Sequence, residues 1–195
     1  MCAFMAFMSS SIMSQGDDFI DAFEKMARLS KPSIRQWLAS HRPLFAVTFQ
    51  DEGEGGQLLS FQCQLTDAMA KTNLSLPNIA AVVSGHFHAF EVLEFQKRPA
   101  QLVVGNSGTQ LATPRDGSPN GIFRAVGRPL LGESISYSEA VGEFGWAILE
   151  TQSDHVSMSA FFLGDEEFKP HPEIQRTFTP SALQVDQLWA NEPVS

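Results

Sequence analysis

The sequence predicts an α/β protein built around a mixed β-sheet. In the first half of the chain, apolar runs suited to strands alternate with segments whose apolar residues recur at helical spacing, which is typical of parallel strands joined by helices. In the second half, strand-like runs follow one another without a helix between them, which favours antiparallel pairing. At 195 residues, the chain is long enough for one domain with a sizeable core.

The first half is predicted to alternate strands and helices. An amphipathic helix is expected over 18–29, because Phe19, Phe23 and Met26 recur on one face. The other expected elements are an apolar strand over 3–8, a strand over 37–40, an extended segment over 45–49, a helix over 58–71 and a buried strand over 79–84.

The second half is predicted to supply the antiparallel strands. Its expected elements are a half-exposed strand over 91–95, a strand over 101–104, a long irregular segment over 112–137 and a hairpin of 144–151 with 156–162. We assign residues 1–165 to the domain and residues 166–195 to a polar C-terminal tail, with one helical turn near 182–188.

Composition limits the partners and the compartment. The net charge of -9 argues against a nucleic-acid partner, which needs a basic surface, but it allows a small phosphorylated substrate. Two cysteines give no disulfide framework and no paired metal motif. We find no signal peptide and no apolar run of about 20 residues that could span a membrane, so no membrane partner is expected and the cytoplasm is the default compartment.

Histidines carry the clearest chemical signal. His41 and His86 each follow a short apolar strand, and ligand sites in α/β sheets lie beyond the carboxyl ends of the strands. His88 adds a third imidazole, on the same side as His86 if the segment is extended, with Gly85 allowing a sharp turn before the pair. Imidazole is a ligand for zinc and iron. We therefore predict a metal site formed by His41, His86 and His88.

Other polar residues are weaker candidates. Arg42, Arg98 and Arg115 are cations that could meet a substrate phosphate near the strand ends. Asn106 and Thr109 lie in a Gly-Asn-Ser-Gly loop, for which a turn is the expected role. His155 and His171 are expected to be solvated surface residues.

Three segments together resemble the calcineurin-like metallophosphoesterases, and within them the purple-acid-phosphatase-like branch. The segments are residues 37–44 (WLASHRPL), 83–88 (VSGHFH) and 102–111 (LVVGNSGTQL). Their order and rough spacing fit the family, and the resemblance covers about residues 5–164. It implies a β-sandwich flanked by helices and a hydrolase that acts on phosphoesters. It also implies a centre of two divalent metals (Fe, Zn or Mn), in which His41 and His86 share one metal and His88 binds the other.

Several motifs of that family are missing from this chain. An Asp-x-His, a Gly-Asp-x-x-Asp and a Gly-Asn-His-Asp/Glu should precede the strand-end histidine, and the sequence has none of them. Three neutral imidazoles supply no anionic ligand, so we expect one bound metal or none. The chain is therefore interpreted as the C-terminal half of such a domain. It lacks the N-terminal strands, and we identify no catalytic residue in it.

Three origins stay open for such a half domain. It is a truncated or mis-started gene product, a non-catalytic remnant, or one half of a site that a partner chain completes. Missing strands would leave an exposed sheet edge suited to self-association or to a partner chain. The alternative to a hydrolase is a non-enzymatic interaction module that binds at most one metal.

Overall fold

The computed structural model of the chain describes residues 2–7, 16–48, 57–59, 63–108, 111, 122–123, 126–127, 129–130, 133–163 and 174–184. The helices in this part of the chain are α1 (Gly16–Leu29) and α2 (Cys63–Lys71). The largest sheet contains β1 (Cys2–Phe7), β2 (Arg35–Ser40), β5 (Ser75–Ser84), β6 (Phe90–Phe95), β7 (Ala100–Val104), β8 (Ile122–Phe123), β9 (Pro129–Leu130), β10 (Glu133–Val141) and β14 (Ser181–Gln184). A second sheet contains β11 (Gly145–Thr151), β12 (Val156–Phe162) and β13 (Gln175–Phe178), and β3 (Ala46–Thr48) pairs with β4 (Gln57–Leu59).

The large sheet is mixed, which confirms the predicted α/β class. Its order is β1-β2-β5-β7-β6-β10-β8, with β14 paired to β5 and β9 paired to β10. The strands β1, β2, β5 and β7 are mutually parallel, whereas β6 and β10 run antiparallel to their neighbours. The carboxyl ends of β2, β5 and β7 therefore meet along one side of the sheet, which we call the carboxyl edge.

Both helices cover one face of the large sheet. In α1, the side chains of Phe19, Phe23 and Met26 are buried at helical spacing, as the sequence predicts. Leu65 and Met69 of α2 join the same hydrophobic cluster. The hydrophobic core between the helices and the sheet buries more bulky side chains than the core on the opposite face of the sheet.

The second sheet packs against the opposite face, so the two sheets form a sandwich. Phe90 and Val92 of β6 share a hydrophobic cluster with Val156, Met158 and Phe162 of β12. The predicted hairpin is present, since β11 pairs with β12 in antiparallel register. Its turn is closed by a 2.9 Å hydrogen bond from the amide of Gln152 to the carbonyl of His155.

The prediction that residues 91–95 form a half-exposed strand is wrong. In β6 the side chains of Phe90, Val92, Leu93 and Phe95 are all buried, and Glu91 is fully buried too. Alternating side chains of β6 enter the two hydrophobic clusters, because helices cover one face of the sheet and the second sheet covers the other. Alternation therefore separates two cores here rather than core from solvent.

Several boundaries also differ from the predictions. The helix expected over 58–71 begins only at Cys63, because Gln57–Leu59 pairs with β3 as a strand. The predicted irregular segment 112–137 is partly strand, since β10 begins at Glu133 and two short strands precede it. Residues 126–127 form a turn, and the rest of 112–137 lies outside the described residues.

Residues 174–184 form two strands that pair with the sheets of the fold. The prediction of a helical turn near 182–188 is wrong for residues 182–184, because Ser181–Gln184 is the strand β14. This strand pairs with β5, while β13 pairs with β12, so the segment joins both sheets. Between the sheets, Arg176 donates to both carboxylate oxygens of Glu94, at 2.5 and 3.1 Å, and its guanidinium lies 3.8 Å from the ring centroid of Tyr137. The assignment of residues 166–195 as a unit separate from the domain stays a prediction.

Neither described helix combines the length and the apolar character that crossing a membrane requires.

Candidate site at the carboxyl edge

His41 and His86 lie side by side at the carboxyl edge. His41 directly follows β2, and His86 follows β5 after Gly85. Nε2 of His41 lies 3.1 Å from Nδ1 of His86, which is a hydrogen bond when one ring donates and the other accepts. The rings meet edge-on, with centroids 4.9 Å apart and an interplanar angle of 71°. The structure thus brings together the two strand-end histidines, while their metal-binding role stays a prediction.

The backbone after β5 is not the extended segment that was expected. His86 has φ of 60°, in the left-handed region, so the sharp turn is at this residue and not at Gly85. The amide of Phe87 donates to the carbonyl of Gly85 at 2.7 Å, and that of Ala89 donates to Phe87 at 2.8 Å. These tight turns aim the His86 ring toward the end of β2, where His41 is.

Gly105 supports this turn from β7. Its amide donates to the carbonyl of Ala89 at 3.2 Å. A Cβ atom at Gly105 would lie only 2.0 Å from the Phe87 carbonyl oxygen, which is a backbone atom that cannot move aside freely. The close approach therefore requires glycine at this position. A Cβ at Gly85, in contrast, would meet nothing nearer than the His41 carbonyl at 3.9 Å.

His88 is exposed, and the structure connects it to the pair through an electrostatic effect on His86. It lies near enough for its charge to lower the pKa of His86, after burial and the charges of Arg42 and His41. Within the described part of the chain, however, no group of three or more His, Cys, Asp or Glu side chains is arranged to hold a metal ion. The contact between His41 and His86 is therefore the part of the predicted set that the structure shows directly, and the metal-binding role of all three histidines stays a prediction.

Arg42 supplies positive charge next to His86. Desolvation is the largest cause of the lowered pKa of His86, followed by the charge of Arg42 and by the charges that His41 and His88 carry when protonated. The lowered pKa favours the neutral imidazole, which is the form that binds a metal. The same cations provide an environment suited to an anion such as a phosphate group.

A buried polar network lies beneath the pair, and the sequence reasoning missed it. Ser40 and Ser84 are the last residues of β2 and β5, are direct register partners, and have hydroxyl oxygens 3.0 Å apart. Gln101 of β7 is fully buried and donates to Ser84 Oγ at 3.0 Å. The signal in the sequence is a glutamine inside an apolar strand and a serine at each strand end before a histidine.

The remaining candidates lie elsewhere. Arg98 is in the turn between β6 and β7, at the opposite end of the sheet, where it forms a 3.3 Å ion pair with Glu133, so its predicted contact with a substrate phosphate at the strand ends is wrong. Asn106 is buried after β7 and donates to the Glu143 carbonyl at 2.9 Å, in keeping with a turn role. His155 lies in the β11–β12 turn, 2.7 Å from a carboxylate oxygen of Asp154. Thr109, Arg115 and His171 lie outside the described residues.

The histidine pair fits part of a metal site. Two imidazole nitrogens bound to one zinc at about 2.0–2.1 Å with tetrahedral geometry lie about 3.3 Å apart. The observed 3.1 Å between His41 Nε2 and His86 Nδ1 is close to that separation. Two nitrogens do not complete a zinc site, which takes three or four protein ligands. The described residues thus fit one half of a ligand set.

Comparison with known proteins finds a distant structural likeness to this chain. No protein-family model and no curated protein matches the chain. In structure, the chain is similar to the crystal structure of a conserved uncharacterized protein from Streptococcus pneumoniae TIGR4, described as a predicted phosphoesterase. The TM-score is 0.32 and the identity 9%, over 90% of this chain and 96% of that chain. A likeness of this size leaves the chemistry of the carboxyl edge to be judged from its own residues.

Proposed function

We propose that this chain carries the histidine-rich half of a metal-dependent phosphoester hydrolase site and is inactive by itself. The observation that supports the proposal is the 3.1 Å approach of His41 Nε2 and His86 Nδ1 at the ends of neighbouring parallel strands. Ligand sites in sheets of this kind lie beyond the carboxyl ends of the strands.

In this proposal each residue has a distinct task. His41 binds a divalent metal (Fe, Zn or Mn) through Nε2, and His86 binds the same ion through Nδ1. Such a metal, when bound, neutralises phosphoryl oxygens and lowers the pKa of a bound water. Arg42 attracts and orients a small phosphorylated substrate, because its charge already acts on the adjacent His86. His88 supplies an imidazole to a second metal if further ligands are provided.

The proposal requires ligands from outside the described residues. The part of the chain that the structure describes holds no group of three metal-binding side chains, and a divalent pair needs carboxylates to offset its charge. These ligands come from residues of this chain outside the described ranges, from further sequence ahead of this segment in the intact gene product, or from a partner chain. Among the described strands, β1 stands at one end of the sheet order beside β2, and further strands would add there.

The absence of such a group among the described residues also favours the alternative. In that case the chain is a non-catalytic remnant or interaction module that binds one metal or none. The two functions predict different results when the missing sequence is restored, because only the hydrolase lineage gains turnover. The experiment that separates them is to restore upstream coding sequence containing an Asp-x-His or a Gly-Asn-His motif and to measure turnover.

Metal content of the purified chain tests the proposal. We expect one zinc per chain by elemental analysis, strong loss of zinc in His41→Ala and His86→Ala, and negligible hydrolysis of p-nitrophenyl phosphate. His155→Ala is the matched control, since this histidine lies at the β11–β12 turn, and it should leave zinc binding unchanged. Two metals per chain would contradict the account of the missing ligands, and zinc binding that survives both site substitutions would contradict the site itself.

A further inference from the structure

We infer that Gln101 is a positioning residue that holds the segment carrying His41 and Arg42 against His86. The inference extends the proposed function, and its metal-binding readout depends on that function. Gln101 is fully buried on β7, which neighbours β5 and is separated by β5 from β2. Its side chain nevertheless reaches the chain that leaves β2, and so it connects three strands at the carboxyl edge.

The acceptor half of the amide holds the segment after His41. The backbone amide of Leu44 donates to Gln101 Oε1 at 3.1 Å, and that of Phe45 donates to the same oxygen at 3.4 Å. Both residues are fully buried, so their amides cannot turn to water instead. Because a backbone N–H only donates, these two contacts also identify which end of the Gln101 amide is the oxygen.

The donor half of the amide starts a directed chain of hydrogen bonds. Gln101 Nε2 donates to Ser84 Oγ at 3.0 Å. Ser40 donates its hydroxyl to the Arg42 carbonyl at 2.6 Å, which leaves Ser84 as the donor across the 3.0 Å contact between the two serine oxygens. The chain thus runs from β7 through the end of β5 to the end of β2, and it finishes on the residue next to His41.

A single side chain therefore fixes the histidine pair from two directions. Its oxygen holds the segment at Leu44 and Phe45, and its nitrogen holds it at Arg42 through the serines. A hydrogen bond of 3.2 Å from the Gly85 amide to the His41 carbonyl adds a direct link between the strand ends. That link does not involve Gln101, so loss of the glutamine loosens the geometry of the pair without removing all contact. Residues that orient metal ligands in this way change metal affinity by about 10–100-fold when substituted.

Gln36 provides a matched control. It is also a buried glutamine, on β2, and its amide donates to Ser30 Oγ and to the Pro77 carbonyl, both at 2.8 Å. These contacts lie at the opposite end of the parallel strands. Substitution of Gln36 or Gln101 by methionine removes a buried amide of equal size, so both variants lose stability, but only Gln101 is connected to the histidine pair through hydrogen bonds.

The experiment compares Gln101→Met and Gln36→Met in the full chain. Zinc affinity is measured by competition with a chromophoric chelator, and ¹⁵N NMR of the metal-free chain follows the coupling between His41 Nε2 and His86 Nδ1 across their hydrogen bond. We expect Gln101→Met to weaken zinc binding about 10–100-fold and to abolish the coupling, and Gln36→Met to change neither.

The two readouts separate the inference from the function on which it rests. If the wild-type chain binds no zinc, the proposed function fails, whereas the NMR coupling still decides the role of Gln101. Coupling that persists in Gln101→Met, or is lost equally in Gln36→Met, would overturn the inference. If Gln101→Met does not fold, Ser84→Ala breaks the same hydrogen-bond chain at its middle, and an unchanged coupling there would count against the positioning role.

Discussion

The two ends of the parallel strands use their cations differently. At the end opposite the carboxyl edge, cationic side chains are bound into the fold: Arg98 pairs with Glu133, and Arg35 donates to the backbone carbonyls of Gln152, Ser153 and His155. At the carboxyl edge, the charged groups that act on His86 are all cationic. Like charges held together cost stability, whereas removing one partner of a buried pair at the other end leaves a buried charge without its counter-ion. The contrast agrees with the proposal that the carboxyl edge binds a metal or an anion.

Breaking the buried ion pair between Arg98 and Glu133 should cause the largest loss of stability. In Arg98→Ala, Glu133 keeps its charge in a site where the two side chains are only 8% and 11% exposed. Breaking such a pair from one side costs about 3–5 kcal/mol of unfolding free energy. Urea unfolding followed by circular dichroism measures this loss.

An exposed arginine–glutamate pair in the same chain is the control for that experiment. Arg28 and Glu24 lie 3.6 Å apart on α1 with side chains 70% and 52% exposed. Arg28→Ala should change the unfolding free energy by less than about 1 kcal/mol. If Arg98→Ala cost no more than Arg28→Ala, the cations at the opposite end would not be structural, and the comparison between the two ends would fail.

Adding one methyl group at Gly105 should cause an intermediate loss of stability. The new Cβ in Gly105→Ala would overlap the Phe87 carbonyl oxygen, so the turn that carries His86 has to shift. Overpacking of this kind costs about 1–3 kcal/mol, and the shift should also weaken zinc binding. Differential scanning fluorimetry with and without zinc measures both consequences.

Gly85→Ala tests whether that effect comes from the overlap. Its Cβ would make only an ordinary contact with the His41 carbonyl, so stability should change by less than about 1 kcal/mol. Equal losses in the two variants would mean that the segment between β5 and β6 tolerates no side chain at either glycine for a reason other than the close approach.

The smallest expected effect is a dependence of stability on pH. The pKa of His86 in the folded chain lies below its usual value of 6.5, chiefly because of burial and then because of Arg42, so the unfolded chain binds a proton there more readily. Stability from this group is therefore present above pH 6.5 and is lost as the pH falls from that value to the lower folded pKa. Water screens the charges around the exposed His86, which keeps the effect small.

His86→Asn should remove this part of the pH dependence. Asparagine accepts the left-handed backbone of this position and does not titrate. Urea unfolding at a series of pH values from about 5 to about 7.5 compares the two chains. A loss of stability on acidification that is identical in both would assign the effect to a group other than His86.

The sequence allowed the meeting of His41 and His86 to be predicted, because each follows a parallel strand and such strand ends share one edge. It did not allow the left-handed turn at His86 to be predicted, since that conformation depends on the close packing of Gly105 against the turn. The role of Gln101 was missed for a similar reason. Its partners Leu44 and Ser84 are far away in sequence, and local periodicity carries no information about them.

The burial of β6 and the strands within 174–184 illustrate the same limit. The alternation of polar and apolar residues along β6 predicted one solvent-exposed face. That face is instead covered by the second sheet, whose strand β12 lies more than fifty residues later in the sequence. Short strands such as β14 have little local signal, and their conformation is fixed by the strand with which they pair.

The pairing of β14 with β5 also has a consequence for the order of folding. Ser181 pairs with Ile79, and Leu183 pairs with Leu76, so the first half of β5 acquires these neighbours only after residues 181–184 have left the ribosome. The segment that holds His86 can form its sheet contacts with β2 and β7 before then. Contacts between residues so distant in sequence form slowly. The carboxyl half of β5 thus needs only β2 and β7 to complete its sheet contacts, whereas the opposite half of the same strand stays incomplete until β14 has been synthesised.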